Sequence, residues 1–154
     1  MKIIEPSTPG EFRQYYELRW KILREPWNQP RGSEQDELEH SSRHVMIVDG
    51  HQAVIGVGRL QFNSIREAQI RYMAVAVEQQ RKGVGTRLLA ALEQRAIELG
   101  AACIVIDARE SALRFYRKQG YEPQGPGHVL FNSIAHIKMK KVITPQAKTL
   151  SQRR

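Results

Sequence analysis

The stretch that decides the fold runs from Met73 to Leu99 and reads MAVAVEQQRKGVGTRLLAALEQRAIEL. It opens with five apolar residues, which is the composition of a strand covered on both faces. After a polar loop, an apolar residue recurs at every fourth position from Val84 to Ala96, and Gly100 supplies a stop signal. The stretch therefore predicts a strand, a glycine-containing loop and a helix.

The loop places two glycines, Gly83 and Gly85, at the start of the predicted helix. The first turn of a helix has N–H groups without intrahelical partners, and the helix dipole adds about half a positive charge there. Glycine lets an anion approach these donors closely, and Arg81 and Lys82 add formal positive charge. This combination favours a ligand that carries a pyrophosphate.

Two common phosphate-binding loops do not fit the pattern. A Walker loop needs a lysine after its last glycine, but Thr86 follows Gly85 directly. A dinucleotide-binding loop needs a third glycine where Leu88 stands, and no acidic residue ends the next strand at the expected distance. The remaining pattern is Gln-x-x-Gly-x-Gly, beginning at Gln80.

The elements around this stretch predict a mixed sheet. A capping box at Thr8–Glu11 begins a first helix with an apolar stripe of Phe12, Tyr16, Trp20 and Leu23, and Pro26 ends it. Residues 26–43 are predicted to be a loop with one short helix around residues 34–40. The other predicted elements are strands at 44–48, 53–62, 68–77, 101–106, 121–122 and 134–141, and a helix at 111–119.

This order of elements predicts an α/β (α+β) fold. We expect a single domain with a mixed, twisted sheet of six to seven strands flanked by helices. The two central parallel strands, near residues 69–77 and 102–107, are expected to splay where a bulge interrupts their pairing.

The net charge of +8 belongs mostly to the end of the chain. Six basic residues and no acidic ones follow Ile137, so 18 basic and 16 acidic residues remain before that point. A basic nucleic-acid-binding face is therefore not indicated. The longest apolar run, Ala101–Ile106, is too short to cross a membrane, and the single cysteine, Cys103, fits a reducing cytoplasm.

A second segment, Ala112–Glu122 (ALRFYRKQGYE), follows the glycine loop at a recognisable distance. Together with the Gln80–Gly85 loop it resembles the GNAT superfamily of N-acyltransferases. Finer features, including Arg71 and the closing Ile134–Met139 strand, resemble the ElaA-like branch of that superfamily. The resemblance implies a GNAT-like domain over residues 1–143. Residues 144–154 carry no apolar pattern, which predicts a basic, flexible tail.

The resemblance also implies acetyl-CoA (coenzyme A) as cosubstrate. The strand backbone at Met73–Val75 would pair with the pantetheine arm, and the loop would hold the pyrophosphate. The resemblance thus implies ten cofactor-binding residues: Met73, Ala74, Val75, Gln80, Arg81, Lys82, Gly83, Val84, Gly85 and Thr86.

Acyl transfer needs a proton donor for the leaving sulfur and a base for the amine. The resemblance places Tyr116 near the sulfur as the donor; the alternative is that Tyr116 simply packs in the core. His136 is a candidate base, although its alternation with Lys138 and Lys140 on a polar strand face indicates a satisfied or solvent-facing histidine instead. Other candidate bases are Asp107, Glu110, Glu25, His44 and a chain of water molecules.

Arginines on several elements suggest a site for the acceptor. Arg19, Arg59 and Arg71 would bind an anionic acceptor, or else they form ion pairs with Glu25, Asp36 and Glu67. The candidate substrate-binding residues are Arg19, Glu25, His44 and Arg71. No metal site is predicted, because the His, Cys and acidic residues lack metal-site spacing.

These observations favour a cytoplasmic N-acetyltransferase that acts directly on a primary amine of a small molecule or peptide. We expect a monomer or homodimer without nucleic-acid or membrane partners. The alternative is a non-catalytic acyl-CoA-binding or regulatory module.

Overall fold

A computed structural model describes residues 1–143 and shows seven strands and three α-helices among them. The predicted tail at residues 144–154 lies outside the described residues. The strands are β1 (Lys2–Ile4), β2 (Arg43–Val48), β3 (Val54–Phe62), β4 (Glu67–Val75), β5 (Cys103–Arg109), β6 (Glu122–Leu130) and β7 (Ile134–Val142). The helices are α1 (Pro9–Leu23), α2 (Val84–Glu98) and α3 (Leu113–Lys118).

The strands form one seven-stranded sheet in the order β1-β2-β3-β4-β5-β7-β6. This mixed sheet, flanked by helices, confirms the predicted fold class. The chain divides into two units, one comprising Met1–Gln61 and Ile70–Leu92, the other Phe62–Gln69 and the described residues from Glu93 onward. The single domain over residues 1–143 and the splaying of the central strands stay predictions.

In the first unit, α1 begins at the predicted capping box. The Thr8 hydroxyl accepts a hydrogen bond from the Glu11 N–H at 3.1 Å, and the Glu11 carboxylate accepts one from the Thr8 N–H at 3.1 Å. Of the predicted apolar stripe Leu23 is buried, whereas Phe12, Tyr16 and Trp20 are only half-buried. The residues that α1 buries are Tyr15, Leu18, Arg19 and Leu23. The core therefore accepts an arginine where the stripe has aromatic residues.

The hairpin of β2 and β3 fixes the position of α2. Its turn is the predicted Asp49-Gly50, where the Asp49 N–H donates to the Ala53 carbonyl at 2.9 Å. Two glycines of β3 allow α2 to approach the strand. A Cβ atom on Gly58 would lie 2.6 Å from Leu92 Cδ1, and one on Gly56 would lie 3.1 Å from Val84 Cγ1. Because Val84 is the first residue of α2, this close packing holds the glycine loop in place.

In the second unit, β7 pairs with both β5 and β6 in antiparallel fashion. The prediction of only two residues in β6 is wrong, since the strand runs from Glu122 to Leu130. Pro123 and Pro126 are unusual residues within a strand, but β6 is the last strand of the sheet and its register shifts beside both prolines. Edge strands with bulges are where a sheet tolerates proline.

No α-helix among residues 1–143 has both the length and the apolar composition that crossing a lipid bilayer requires.

Candidate functional site

The glycine loop links β4 to α2. A short 3-10 turn at Val77–Gln79 follows the strand, and the Gln80 side-chain amide donates to the Val75 carbonyl at 3.0 Å. This bond ties the loop back to the strand that precedes it. Arg81 and Gly83 adopt positive φ angles of 64° and 87°, so the backbone curls at both residues.

Six consecutive backbone N–H groups of this loop, those of residues 81–86, have no acceptor within the described part of the chain. The flanking amides are bonded: the Gln80 N–H donates to Val77 at 3.3 Å and the Arg87 N–H to Gly83 at 3.1 Å. A Cβ atom on Gly83 would meet nothing within 4 Å. The loop therefore presents an open row of donors at a helix N-terminus, which is an anion-binding geometry.

The strand before the loop contains an unusual backbone conformation. Tyr72 has a φ of 56°, so β4 is not fully extended one residue before Met73. Ala74 is buried, while Met73 and Val75 are half-buried. The freed N–H that the sequence predicts near Val75 stays a prediction.

Tyr116 lies in the second unit on α3. Its ring packs edge-to-face against Phe115 and Tyr121, with centroids 5.0 Å and 5.9 Å away. Burial raises the pKa of the Tyr116 hydroxyl to about 12, although the positive charge of Arg109 opposes the shift. The hydroxyl is therefore protonated at neutral pH, which suits both a packing role and a role as proton donor.

His136 is buried, so of the two predicted alternatives, a satisfied and a solvent-facing histidine, the solvent-facing one is wrong. Its Nδ1 lies 3.1 Å from the Ile134 carbonyl and 3.2 Å from the His128 carbonyl. Since a carbonyl can only accept, this geometry assigns the proton to Nδ1 and leaves Nε2 as the basic nitrogen. Burial and the neighbouring His128 lower the pKa of His136, so the ring is neutral at pH 7.

His128, which was not predicted from the sequence, lies beside His136. Its ring stacks on His136 with centroids 4.1 Å apart, and its Nδ1 lies 4.0 Å from Asp107 Oδ2. The Gln69 amide donates to the same Asp107 oxygen at 3.4 Å. No sequence signal pointed to His128, because it lies in the proline- and glycine-rich segment that was not recognised as a strand.

A second group of polar side chains lies in the first unit, around the ring of Tyr72. We call it the ionic cluster. It contains four arginines and three acidic residues: Arg19, Arg24, Arg59, Arg71, Glu34, Asp36 and Glu39.

Two arginines of the ionic cluster are fully buried. Arg19 donates to Glu39 Oε2 at 2.8 Å and to the Tyr15 hydroxyl at 2.9 Å. Arg59 donates to Asp36 Oδ1 at 2.7 Å and to Glu39 Oε2 at 2.9 Å. Asp36 is one of the ion-pair partners that the sequence suggested for these arginines. Glu39, which pairs with both Arg19 and Arg59, was not among them.

The other predicted substrate-binding residues occupy different surroundings. His44 is buried, with Nε2 2.8 Å from the Glu39 carbonyl and Nδ1 2.8 Å from the Tyr15 hydroxyl, and burial lowers its pKa. Glu25 is exposed and lines a cavity of about 540 Å³, together with part of α1 and residues 76–78. Arg71 is half-buried and lies 3.7 Å from Asp36 Oδ2. The structure thus brings Arg71 and Arg19 into one cluster.

Comparison with known proteins identifies the family. The sequence matches the Acetyltransferase (GNAT) family over residues 12–121. The chain belongs to this family. "Uncharacterized N-acetyltransferase YjcF" of Bacillus subtilis (strain 168) is 28% identical over 141 residues, which cover 92% of this chain and 99% of YjcF.

Solved structures share the GNAT fold. An aminoglycoside 6'-N-acetyltransferase complexed with coenzyme A has a TM-score of 0.77 and 20% sequence identity. The match covers 95% of this chain and 99% of the aminoglycoside acetyltransferase chain. Escherichia coli ElaA has a TM-score of 0.75 and 15% sequence identity. The match covers 91% of this chain and 97% of the ElaA chain. The match to the family confirms the predicted superfamily, and acetyl-CoA is the cosubstrate of this GNAT protein. The likeness to ElaA is one of fold.

The loop of this GNAT protein fits coenzyme A on structural grounds. The open amides of residues 81–86 match a diphosphate, and the exposed Arg81 and Lys82 side chains add two positive charges beside them. No three His, Cys, Asp or Glu side chains within residues 1–143 are grouped to hold a metal ion.

The ionic cluster of this GNAT protein predicts a stability change at acidic pH. Burial alone would raise the pKa of Asp36, but hydrogen bonds from Arg59, the Leu38 N–H and Tyr72 lower it to about 2. A lowered pKa in the folded state stabilises the protein above the unfolded pKa of about 4, and this contribution is lost as the pH falls towards 2. We expect the difference in unfolding free energy between wild type and Asp36→Asn to shrink by about 2 kcal/mol between pH 6 and pH 2.

Urea unfolding across this pH range measures the Asp36 effect. The control is Glu37→Gln, which removes the carboxylate of the exposed neighbouring residue. A difference from wild type that stays constant with pH in Asp36→Asn would contradict the ion pairing described here.

Proposed function

We propose that this protein is a cytoplasmic enzyme that moves an acetyl group from acetyl-CoA to a primary amine of a small molecule or peptide. Transfer is direct, with both substrates bound in a ternary complex. The observation that carries the proposal is the row of six unpartnered N–H groups at the start of α2, in a chain of the GNAT family.

In this proposal the loop residues bind and orient the cosubstrate. The backbone of Arg81–Thr86 holds the pyrophosphate, with Gly83 and Gly85 permitting close approach and the Arg81 and Lys82 side chains adding charge. Gln80 keeps the loop attached to Val75. The backbone of Met73–Val75 pairs with the pantetheine arm, which aligns the acyl group.

Bound acetyl-CoA supplies a thioester whose carbonyl carbon accepts the amine nitrogen and whose sulfur departs. A backbone N–H near Val75 donates a hydrogen bond to the carbonyl oxygen as it gains negative charge. Tyr116 gives its proton to the sulfur. A pKa of about 12 ensures that Tyr116 carries this proton at neutral pH.

The acceptor must lose a proton before it attacks, because an alkyl ammonium has a pKa near 10. We propose His136 as the group that receives it, through its unprotonated Nε2. Asp107, Glu110, Glu25 and a chain of water molecules are the alternatives. His44 is the weakest alternative, since both of its ring nitrogens contact protein groups.

The four predicted substrate-binding residues differ in their accessibility to an acceptor, so we propose different roles for them. Arg71 and Glu25 are accessible enough to contact an acceptor. Arg19 and His44 are buried and bonded to protein groups, so we propose that they hold Glu39 and Tyr15 in place beside the acceptor site.

Turnover measurements test the proposed activity. Acetyl-CoA is incubated with the protein and a panel of primary amines, and released thiol is followed together with the mass of the acetylated product. Acetylated product that depends on the amine supports the enzyme. Tight binding of coenzyme A without any product would favour the non-catalytic module instead.

Tyr116→Phe tests the proton donor. We expect a fall in kcat of about 100-fold, while the Kd for coenzyme A changes less than about twofold, because only the proton transfer is lost. The control is Tyr121→Phe, whose ring packs on Tyr116 but whose hydroxyl donates to Glu93 at 2.7 Å. A kcat equal to that of wild type in Tyr116→Phe would show that Tyr116 is not the proton donor.

A further inference from the structure

We propose that the acceptor amine carries an anionic group, a carboxylate or a phosphate, and that Arg71 binds this group. The inference rests on the proposed acetyl transfer and names the class of acceptor. Its starting point is an excess of positive charge in the ionic cluster, where four guanidinium groups face three carboxylates.

The four guanidinium groups surround one aromatic ring. The guanidinium carbons of Arg19, Arg71, Arg59 and Arg24 lie 4.5, 4.7, 4.8 and 5.8 Å from the centroid of the Tyr72 ring. Such contacts with a ring face are favourable, but they leave the hydrogen-bonding capacity of the guanidinium edge unused. Whether the N–H groups of each arginine have acceptors therefore depends on the carboxylates of the ionic cluster.

Asp36 is the carboxylate next to Arg71, and its oxygens are already occupied. Oδ1 accepts from Arg59 and from the Leu38 N–H at 2.7 and 2.9 Å. Oδ2 accepts from Arg59 at 3.1 Å and from the Tyr72 hydroxyl at 3.2 Å. A carboxylate offers about four acceptor positions, so Asp36 has none left for Arg71.

Arg71 is the member of the ionic cluster whose spare donors are open to solvent, whereas the unpartnered Nε atoms of Arg19 and Arg59 are buried. Its closest carboxylate oxygen is 3.7 Å away, beyond hydrogen-bond distance, and its guanidinium donates no hydrogen bond to any residue that the structure describes. Its side chain is 32% exposed, so a ligand from solvent can reach it. A guanidinium held in this way matches the two oxygens of a carboxylate or phosphate.

The place of Arg71 in the chain links it to the transfer step. It lies on β4 two residues before Met73, the first residue proposed to align the acyl arm, which corresponds to at most about 7 Å of strand. Tyr72, between them, has a φ of 56°, and its hydroxyl donates to Asp36 at 3.2 Å. An acceptor whose amine and anion are a few bonds apart spans this distance.

Matched pairs of amines test the inference. Each pair differs in the anion alone: glycine with glycinamide, and 2-aminoethyl phosphate with ethanolamine. Wild type is compared with Arg71→Met and with Arg66→Met, a control that removes a positive charge from the exposed turn before β4. Rates give kcat/KM for each amine, and calorimetry gives the Kd for coenzyme A.

We expect wild type to prefer the anionic member of at least one pair by tenfold or more in kcat/KM. Arg71→Met should lose at least tenfold on that amine and less than twofold on its neutral partner, with unchanged affinity for coenzyme A. Arg66→Met should resemble wild type. A preference for glycine over glycinamide indicates a carboxylate on the acceptor, and a preference for 2-aminoethyl phosphate over ethanolamine indicates a phosphate. Equal rates within both pairs in wild type, or an equal loss on both members in Arg71→Met, would overturn the inference while leaving acetyl transfer intact.

Binding without turnover separates the two proposals. N-acetylglycine and its amide are titrated into wild type and Arg71→Met, each saturated with coenzyme A. Binding of the carboxylate alone, lost in Arg71→Met, supports the anion site even if no amine is acetylated, in which case the proposed activity fails alone. N-acetyl-2-aminoethyl phosphate and N-acetylethanolamine are titrated in the same way, and the absence of binding that depends on either the carboxylate or the phosphate overturns the anion site.

Discussion

Replacing Gly85 with glutamate is expected to raise the Kd for coenzyme A at least 100-fold, or about 3 kcal/mol. Gly85 lies within the row of unpartnered amides that opens α2. A glutamate side chain there would place bulk and a negative charge where the diphosphate approaches, and it would compete for the same N–H groups. Titration calorimetry with coenzyme A measures the change.

The control for this experiment is Gly50→Glu. Gly50 is an exposed glycine of the β2–β3 turn with open space around it, so the variant introduces the same side chain away from the loop. Its affinity for coenzyme A should match wild type. Because glutamate is well tolerated in the first turn of a helix, Gly85→Glu should remain folded. Unchanged affinity in a folded Gly85→Glu protein would show that the loop does not bind the diphosphate.

Replacing Arg59 with methionine is expected to lower the free energy of unfolding by about 3–5 kcal/mol. Arg59 is fully buried and bonds both Asp36 and Glu39. Methionine fills a similar length but leaves Asp36 without its main partner and Glu39 with Arg19 alone. For a chain of this size, that loss corresponds to a fall in Tm of roughly 6–20 °C.

Arg31→Met is the matched control for Arg59→Met. Arg31 also pairs with a carboxylate, that of Glu17, but both side chains are largely exposed. Exposed ion pairs contribute little, so the unfolding free energy should change much less than in Arg59→Met. Equal effects of the two substitutions would mean that the burial of Arg59 does not matter to the stability of the ionic cluster.

The features that could be predicted from the sequence are those encoded over short distances along the chain. The capping box at Thr8, the Asp49-Gly50 turn and the strand–loop–helix unit around Gly83 each depend on residues within a few positions of one another. The resemblance to GNAT proteins rested on the same local segments, and the match to the family over residues 12–121 confirmed it.

The features that could not be predicted depend on contacts between residues far apart in the chain. Arg19 is a core residue only because Glu39, 20 positions later, supplies its counter-charge. The side-chain pattern of α1 alone favours its aromatic residues instead. Similarly, Tyr72 in an extended apolar context gives no sign of a positive φ, which its bond to Asp36 helps to hold.

The length of β6 was missed for a different reason. Proline lacks an N–H group and glycine weakens a strand, so Pro123, Gly125 and Pro126 indicate a loop in isolation. They are compatible with a strand only at the border of the sheet, and neighbours in the sheet cannot be read from the residues themselves. His128 was overlooked together with this strand.

The prolines of β6 also affect how the protein behaves in a crowded solution. An unpaired outer strand offers a template to which a strand of another molecule can add, and this is a common route to aggregation. Pro123 and Pro126 remove two of the donors that such a template requires, and the register shifts beside them disturb the spacing of the rest. This border of the sheet therefore resists the growth of intermolecular β-structure.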